Sequence, residues 1–169
     1  FSSRINMNLR EDKGYTYGAH GGFGRFKRAG YFAIGSSVKT DTTLASLVDI
    51  GKELRQAAGS KPLAPKEVAE AKEGLLLGYP NQFETISSVA AYLVDLAQRD
   101  LDLTWLKTWR PSVRAVTGAG AQKVAQDFGD MKDYVLVVAG DRARIEASLK
   151  SLGLPIIVCG KDGRPARPP

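Results

Sequence analysis

The chain predicts an α+β domain, a two-layer sandwich with helices packed on one face of a mixed or antiparallel sheet. Two strand-like runs near the start, at about residues 15–23 and 31–38, flank a short basic turn, "RFKRAG". Several amphipathic helical segments come next. Two late apolar runs, "YVLVVAG" and "LPIIVCG", then bracket a last helix.

Each element has its own signal. Phe1, Ile5 and Leu9 recur every four residues and predict one buried helix face. Gly14 follows the charged run "REDK" and suits the C′ position that ends this helix. The next helix begins after Thr40 or Asp41, either of which can cap it, and Leu44, Leu47, Val48, Gly51 and Leu54 form its apolar stripe. "GSKPLAP" breaks the chain, and Pro65 suits the first turn of the helix after it. Phe83, Ile86, Val89, Ala90, Leu93 and Ala97 make the most regular helical stripe, set off by Pro80 and Asn81. Trp105 and Trp109 stand at helical spacing, as core or inter-domain packing. "VTGAGAQKVAQDFG" reads as a short helix, and Asp141 caps the one between the two apolar runs.

Four strands make a thin sheet for this many helices, and the chain opens within a helix. The expectation is a domain over residues 1–160 that lacks an opening section upstream of Phe1, with residues 161–169 a disordered Pro/Arg tail.

Composition excludes several classes. At 43% hydrophobic and 25% charged the chain is of ordinary globular type, and no apolar run is long enough to cross a bilayer. No leader is visible, but a chain starting at Phe1 says nothing about where its parent goes. A lone cysteine, Cys159, rules out an internal disulfide; in "LPIIVCG" it is expected as a buried structural thiol. Zinc needs three or four ligands, mostly His and Cys, and only His20 and Cys159 are on offer. No zinc site is expected within this chain. Half of the formal charge of +6 lies in the turn residues Arg25, Lys27 and Arg28, and much of the rest in the tail. A nucleic-acid binder shows a basic stripe on a folded face, so nucleic acid is not an expected partner.

The stretch that carries chemistry is "NMNLREDKGYTYGAHGGFG". Gly14 turns the chain between Arg10 and Tyr17, so the two side chains could converge at the helix–strand junction. Both are hydrogen-bond donors, and arginine stays charged at any working pH. Aimed at one oxygen, they would stabilise the negative charge that develops when water attacks a peptide bond. Strand period places Tyr15 and Tyr17 on one face and Thr16, Gly18, His20, Gly22 and Gly24 on the other, so His20 is expected away from Tyr17 as a surface or packing residue. Glycines in a strand admit close backbone approach, or bulges. The same residues also allow a plain reading: Arg10 paired with a nearby acid, Tyr17 a half-buried sheet tyrosine, the glycines bulges and turns. "GAHGGFG" is no phosphate-binding fingerprint, since it does not follow a strand and open a helix.

"FSSRINMNLREDKGYTYGAHGGF" resembles the stretch carrying the arginine–tyrosine pair in the C-terminal domain of pitrilysin/insulinase-type zinc metallopeptidases, above all the smaller bacterial and processing-peptidase branches. "VKTDTTLASLVDIGKELR", "LAPKEVAEAKEGLLLGYPNQFETISSVAAYLVDLA", "RAVTGAGAQKVAQDF" and "YVLVVAGD" stand after it in the family's order, up to about Gly160. The resemblance implies an active site shared between two halves. One half bears zinc on an inverted H-x-x-E-H motif whose glutamate is general base; the other holds the substrate backbone. Arg10 and Tyr17 match the holding pair, and the zinc motif is absent. The resemblance thus implies a substrate-gripping, non-zinc domain of a metalloendopeptidase that acts on peptides. Its Zn2+ would come from an N-terminal domain of the same polypeptide or from a partner subunit, as a dimer. Bacterial relatives favour the periplasm or cell envelope over the cytoplasm. The resemblance also offers an alternative: a non-catalytic structural subunit of the same fold, as in the core proteins of respiratory complexes.

Overall fold

A computed structural model describes residues 2–166. The single turn α1 (Arg4–Asn6) runs into a π-helical turn, Met7–Asp12, anchored by Leu9, which is fully buried. In π geometry the hydrogen bonds reach back five residues, and the Lys13 N–H donates to the Asn8 carbonyl at 3.2 Å. Gly14 ends the turn as expected. Its φ of +61° is left-handed, and its N–H donates to the Arg10 carbonyl at 3.1 Å. Ile5 is half-buried in line with the expected face; Phe1 lies outside the described residues.

Strands β1 (Thr16–Arg25) and β2 (Gly30–Val38) form an antiparallel hairpin, closed where the Phe26 N–H donates to the Ala29 carbonyl at 2.8 Å. Among the described residues this two-stranded sheet is the whole sheet, which corrects the expected four strands. Residues 134–140 and 154–160 join no ladder beyond one bridge, Cys159 to Pro165. Exposure along the first run alternates: Val135 83%, Leu136 38%, Val137 89%, Val138 37%. That period of two marks extended backbone with one open face and no neighbouring strand. The apolar pattern is right about conformation, but a strand also needs a partner. For the same reason Cys159 is exposed rather than a buried thiol. Residues 160–166 fold back, with the Gly160 N–H on the Arg164 carbonyl at 2.8 Å and the Ala166 N–H on the Val158 carbonyl at 2.7 Å; the rest of the expected tail, residues 167–169, lies outside the described residues.

Six further helices complete the described chain: α2 (Thr43–Ala58), α3 (Pro65–Gly78), α4 (Ile86–Gln98), α5 (Thr104–Ala115), α6 (Gly118–Gly129) and α7 (Arg142–Leu149). Pro65 opens α3 as predicted, and Asp141 caps α7 by accepting from the Ala143 N–H at 3.1 Å. Neither Thr40 nor Asp41 caps α2; a 3-10 turn (Thr40–Thr42) precedes it, and Asp41 pairs instead with Arg144 at 2.6 Å. Helix α2 packs on α6, where Gln122 donates to the Ala57 carbonyl at 2.9 Å and accepts from the Leu63 N–H at 2.8 Å.

Helix α4 turns a different face inward from the one expected, whereas α2 keeps Gly51 of its expected stripe buried and Leu44, Leu47 and Leu54 half-buried, and buries a polar side as well. On α2 the buried residues are Thr43, Ser46, Asp49 and Gly51, while Val48 is exposed. On α4 the buried side runs through Leu96, with Tyr92 beside it, and most of the predicted stripe faces out, Ile86 being 91% exposed, while Val89 is half-buried and Phe83 packs against Tyr92. Tyr79, Phe83, Tyr92 and Trp109 cluster there, with Trp109 stacked on Tyr79 at 4.1 Å between ring centroids. Burial, reinforced by the neighbouring Tyr79 hydroxyl, pushes the Tyr92 phenol up to about 12.

Candidate functional site

The hairpin register holds the key to the site. Thr16 pairs with Val38, but Ala19 pairs with Ser36, so β1 fits one residue more than β2 between these pairs. This is a β-bulge. Without it, Thr16 and Ala19 would point to opposite faces. With it, both face inward, opposite Val38 and Ser36, in the row continued by Gly21 and Phe23 opposite Ile34 and Phe32. His20, Gly22 and Gly24 face outward.

Tyr17 sits on the bulge itself and is 98% exposed. It therefore shares a concavity with His20 instead of standing on the opposite face, which corrects the expectation from uninterrupted alternation. That concavity, of about 670 Å³, is lined by Asn6, Thr16, Tyr17, His20, Ser36 and Ser37, with the Gly18 and Gly35 backbone between them. It is polar and open, and the outer face beyond it is bare: a methyl group added at Gly22 or Gly35 would meet nothing within 4 Å.

The concavity is fastened from beneath. The Thr16 hydroxyl accepts from the Gly18 N–H at 3.0 Å and donates to the Ser37 carbonyl at 2.6 Å. The Ser36 hydroxyl lies 2.9 Å from Thr16 Oγ1 and 3.0 Å from the Gly18 carbonyl. The buried Asn6 side chain holds the Ala19 backbone.

Arg10 lies in the π-helical turn, with its side chain partly exposed and its Nε 3.4 Å from Glu11 Oε1. It is not among the residues lining the Tyr17 concavity. The turn that carries it is clamped to α2: Lys13 pairs with the buried Asp49 at 2.5 Å, and Asn8 Nδ2 donates to Glu53 Oε1 at 2.7 Å. This polar seam was missed in the sequence. The signal was there in Ser46, Asp49 and Glu53, which share one helical face of α2.

Among the described residues no group of three or more His, Cys, Asp or Glu is placed to hold a metal ion. The described residues do not fit a zinc site. Nor is any helix among the described residues long and apolar enough to cross a membrane.

Residues 1–75 match the family model described as "Peptidase M16 inactive domain". Among solved structures the chain is similar to the crystal structure of a peptidase M16 inactive domain from Pseudomonas fluorescens, at 19% sequence identity and a TM-score of 0.63. That likeness covers 76% of this chain and 30% of the other, so the chain spans less than a third of that structure's length. It establishes a shared α+β fold. No curated protein matches the chain. The matched segment, which holds the π-helical turn, the bulged hairpin and α2, is that of a peptidase M16 (pitrilysin family) C-terminal, inactive domain, and the fold around it is like that of the solved inactive domain.

Proposed function

We propose that this chain is the substrate-holding, non-zinc part of a zinc-dependent metalloendopeptidase, in which Arg10 and Tyr17 donate hydrogen bonds to the carbonyl of the scissile peptide. Zinc and its general base belong to an H-x-x-E-H domain of the same polypeptide or to a partner subunit. The observation that carries the reading is the placement of Tyr17. Its ring stands almost wholly in solvent on the outer face of the hairpin, at the edge of an open polar concavity, within the family-matched segment. A tyrosine that only filled the sheet would be covered. An extended peptide could lie along the bare Gly22–Gly35 face and present its carbonyl to the phenol. The resemblance alone supports a periplasmic or cell-envelope setting.

The test is peptide cleavage by the complete natural protein, assembled with its zinc-bearing part, against its Tyr17→Phe and Arg10→Ala variants. Loss of one oxyanion donor typically lowers the rate by about 10²–10³, and each variant is expected to fall in that range with assembly intact. Wild-type turnover in both variants would overturn the reading. It would favour a structural subunit of the same fold, for which the outward apolar stripe on α4 offers a surface to cover.

A further inference from the structure

The Tyr17 ring is 98% exposed, so packing does not aim it. Its direction is set by the backbone beneath it, and that backbone is a bulge. Bulges leave one residue outside the ladder, and its polar groups need other partners. Here the partners are two hydroxyls. Thr16 Oγ1 takes the Gly18 N–H, and Ser36 Oγ reaches both the Gly18 carbonyl and Thr16 Oγ1. Thr16 is tied in turn to the Ser37 carbonyl on the opposite strand. The residue after Tyr17 is thus held at both its N–H and its C=O by side chains from both strands.

We infer that Thr16, with Ser36, is a positioning residue for Tyr17: the hydroxyl pair fixes the bulge that aims the phenol. The inference rests on the substrate-holding role proposed for Tyr17 and adds to it the device that sets its geometry. A donor serves a developing charge only when its place is set in advance. A misplacement of 1 Å by a change away from the chemistry can cost on the order of 10²-fold in rate. Threonine suits the task because it is β-branched and stiff at χ1, so its hydroxyl stays over Gly18.

The experiment measures kcat and KM of the complete protein, with its zinc-bearing part, on an internally quenched nonapeptide. It compares wild type, Thr16→Val, Thr16→Ser and Tyr17→Phe. Valine keeps the shape and removes the hydroxyl; serine keeps the hydroxyl. Thr16→Val is expected to lower kcat by about tenfold to a hundredfold with KM within about twofold of wild type, and Thr16→Ser to restore most of the loss. Thr16→Val at wild-type kcat, while Tyr17→Phe is impaired, would overturn this inference and leave the role of Tyr17 standing. Serine failing to rescue, or a loss confined to KM, would overturn it too. Tyr17→Phe at wild-type activity would remove the underlying reading and this inference with it. Should Thr16→Val not fold, Ser36→Ala carries the same test by removing the second hydroxyl of the pair, the one that reaches both Thr16 Oγ1 and the Gly18 carbonyl.

Discussion

Asn6 holds both backbone polar groups of Ala19: its Nδ2 donates to the Ala19 carbonyl at 3.0 Å, and its Oδ1 accepts from the Ala19 N–H at 2.7 Å. Both residues are buried, and they join the first helical turn to the strand just past the bulge. Asn6→Ala strips two buried backbone groups of their partner at once. Leaving such a group unsatisfied costs about 1–3 kcal/mol, so losing both partners should cost on the order of 2–6 kcal/mol. Urea unfolding of wild type and variant measures this, and a loss well under 1 kcal/mol would show that Ala19 finds other partners.

Helices α2 and α6 meet where Gly129 faces Ala58. A methyl group on Gly129 would sit 2.2 Å from Ala58 Cβ and 3.3 Å from the Leu54 carbonyl oxygen, so Gly129→Ala forces the helices apart. Overpacking of this kind costs about 1–3 kcal/mol. Ala58→Gly removes the nearest obstacle. In a double-mutant cycle the pair should therefore be less destabilised than the two single changes together. Strict additivity would mean that the clash is relieved elsewhere.

Arg4 clasps Glu67 with two hydrogen bonds of 2.6 Å. Chiefly through these, helped by the Ala64 N–H, the Glu67 carboxyl is lowered to about 2 from the usual 4.5. A carboxylate with a depressed folded-state pKa stabilises the fold above its unfolded value and loses that contribution as pH falls through the folded one. The window here runs from about pH 4.5 down to about pH 2. Glu67 is more than a third exposed, so solvent screening makes the contribution a modest one. Glu67→Gln should flatten the stability profile across this window and leave it parallel to wild type above pH 5. Urea midpoints at several pH values would check it, and identical slopes for both proteins would count against the ion pair.

Sequence pattern found the local devices and missed the relational ones. The Gly14 cap, the hairpin with its basic turn, Pro65 at the head of α3 and Asp141 at the head of α7 each arise from one residue's own backbone or capping chemistry. The face that Tyr17 takes does not. One unpaired residue between Thr16 and Ala19 reverses every later side chain, and nothing local in "TYGA" says where the register slips. Helical spacing likewise located α4 but not which side of it packs. Its aromatic neighbours Tyr79 and Trp109 won that choice over the aliphatic stripe. "YVLVVAG" announced an extended run, whereas its pairing depends on a second strand, which no local pattern supplies.

The open run at residues 134–139 has a consequence for how the chain behaves in solution on its own. Val135 and Val137 project from backbone with no ladder partner among the described residues, in a short β-branched segment free of proline, charge and glycine. Such a segment is a template on which a neighbouring copy can add a strand, and repeated addition leads toward fibrils. Lys132 and Asp133 before it and Asp141 and Arg142 after it act as gatekeepers that make stacking of identical copies costly. Colloidal behaviour of the isolated chain is thus governed by those four charges, and it worsens as added salt screens them.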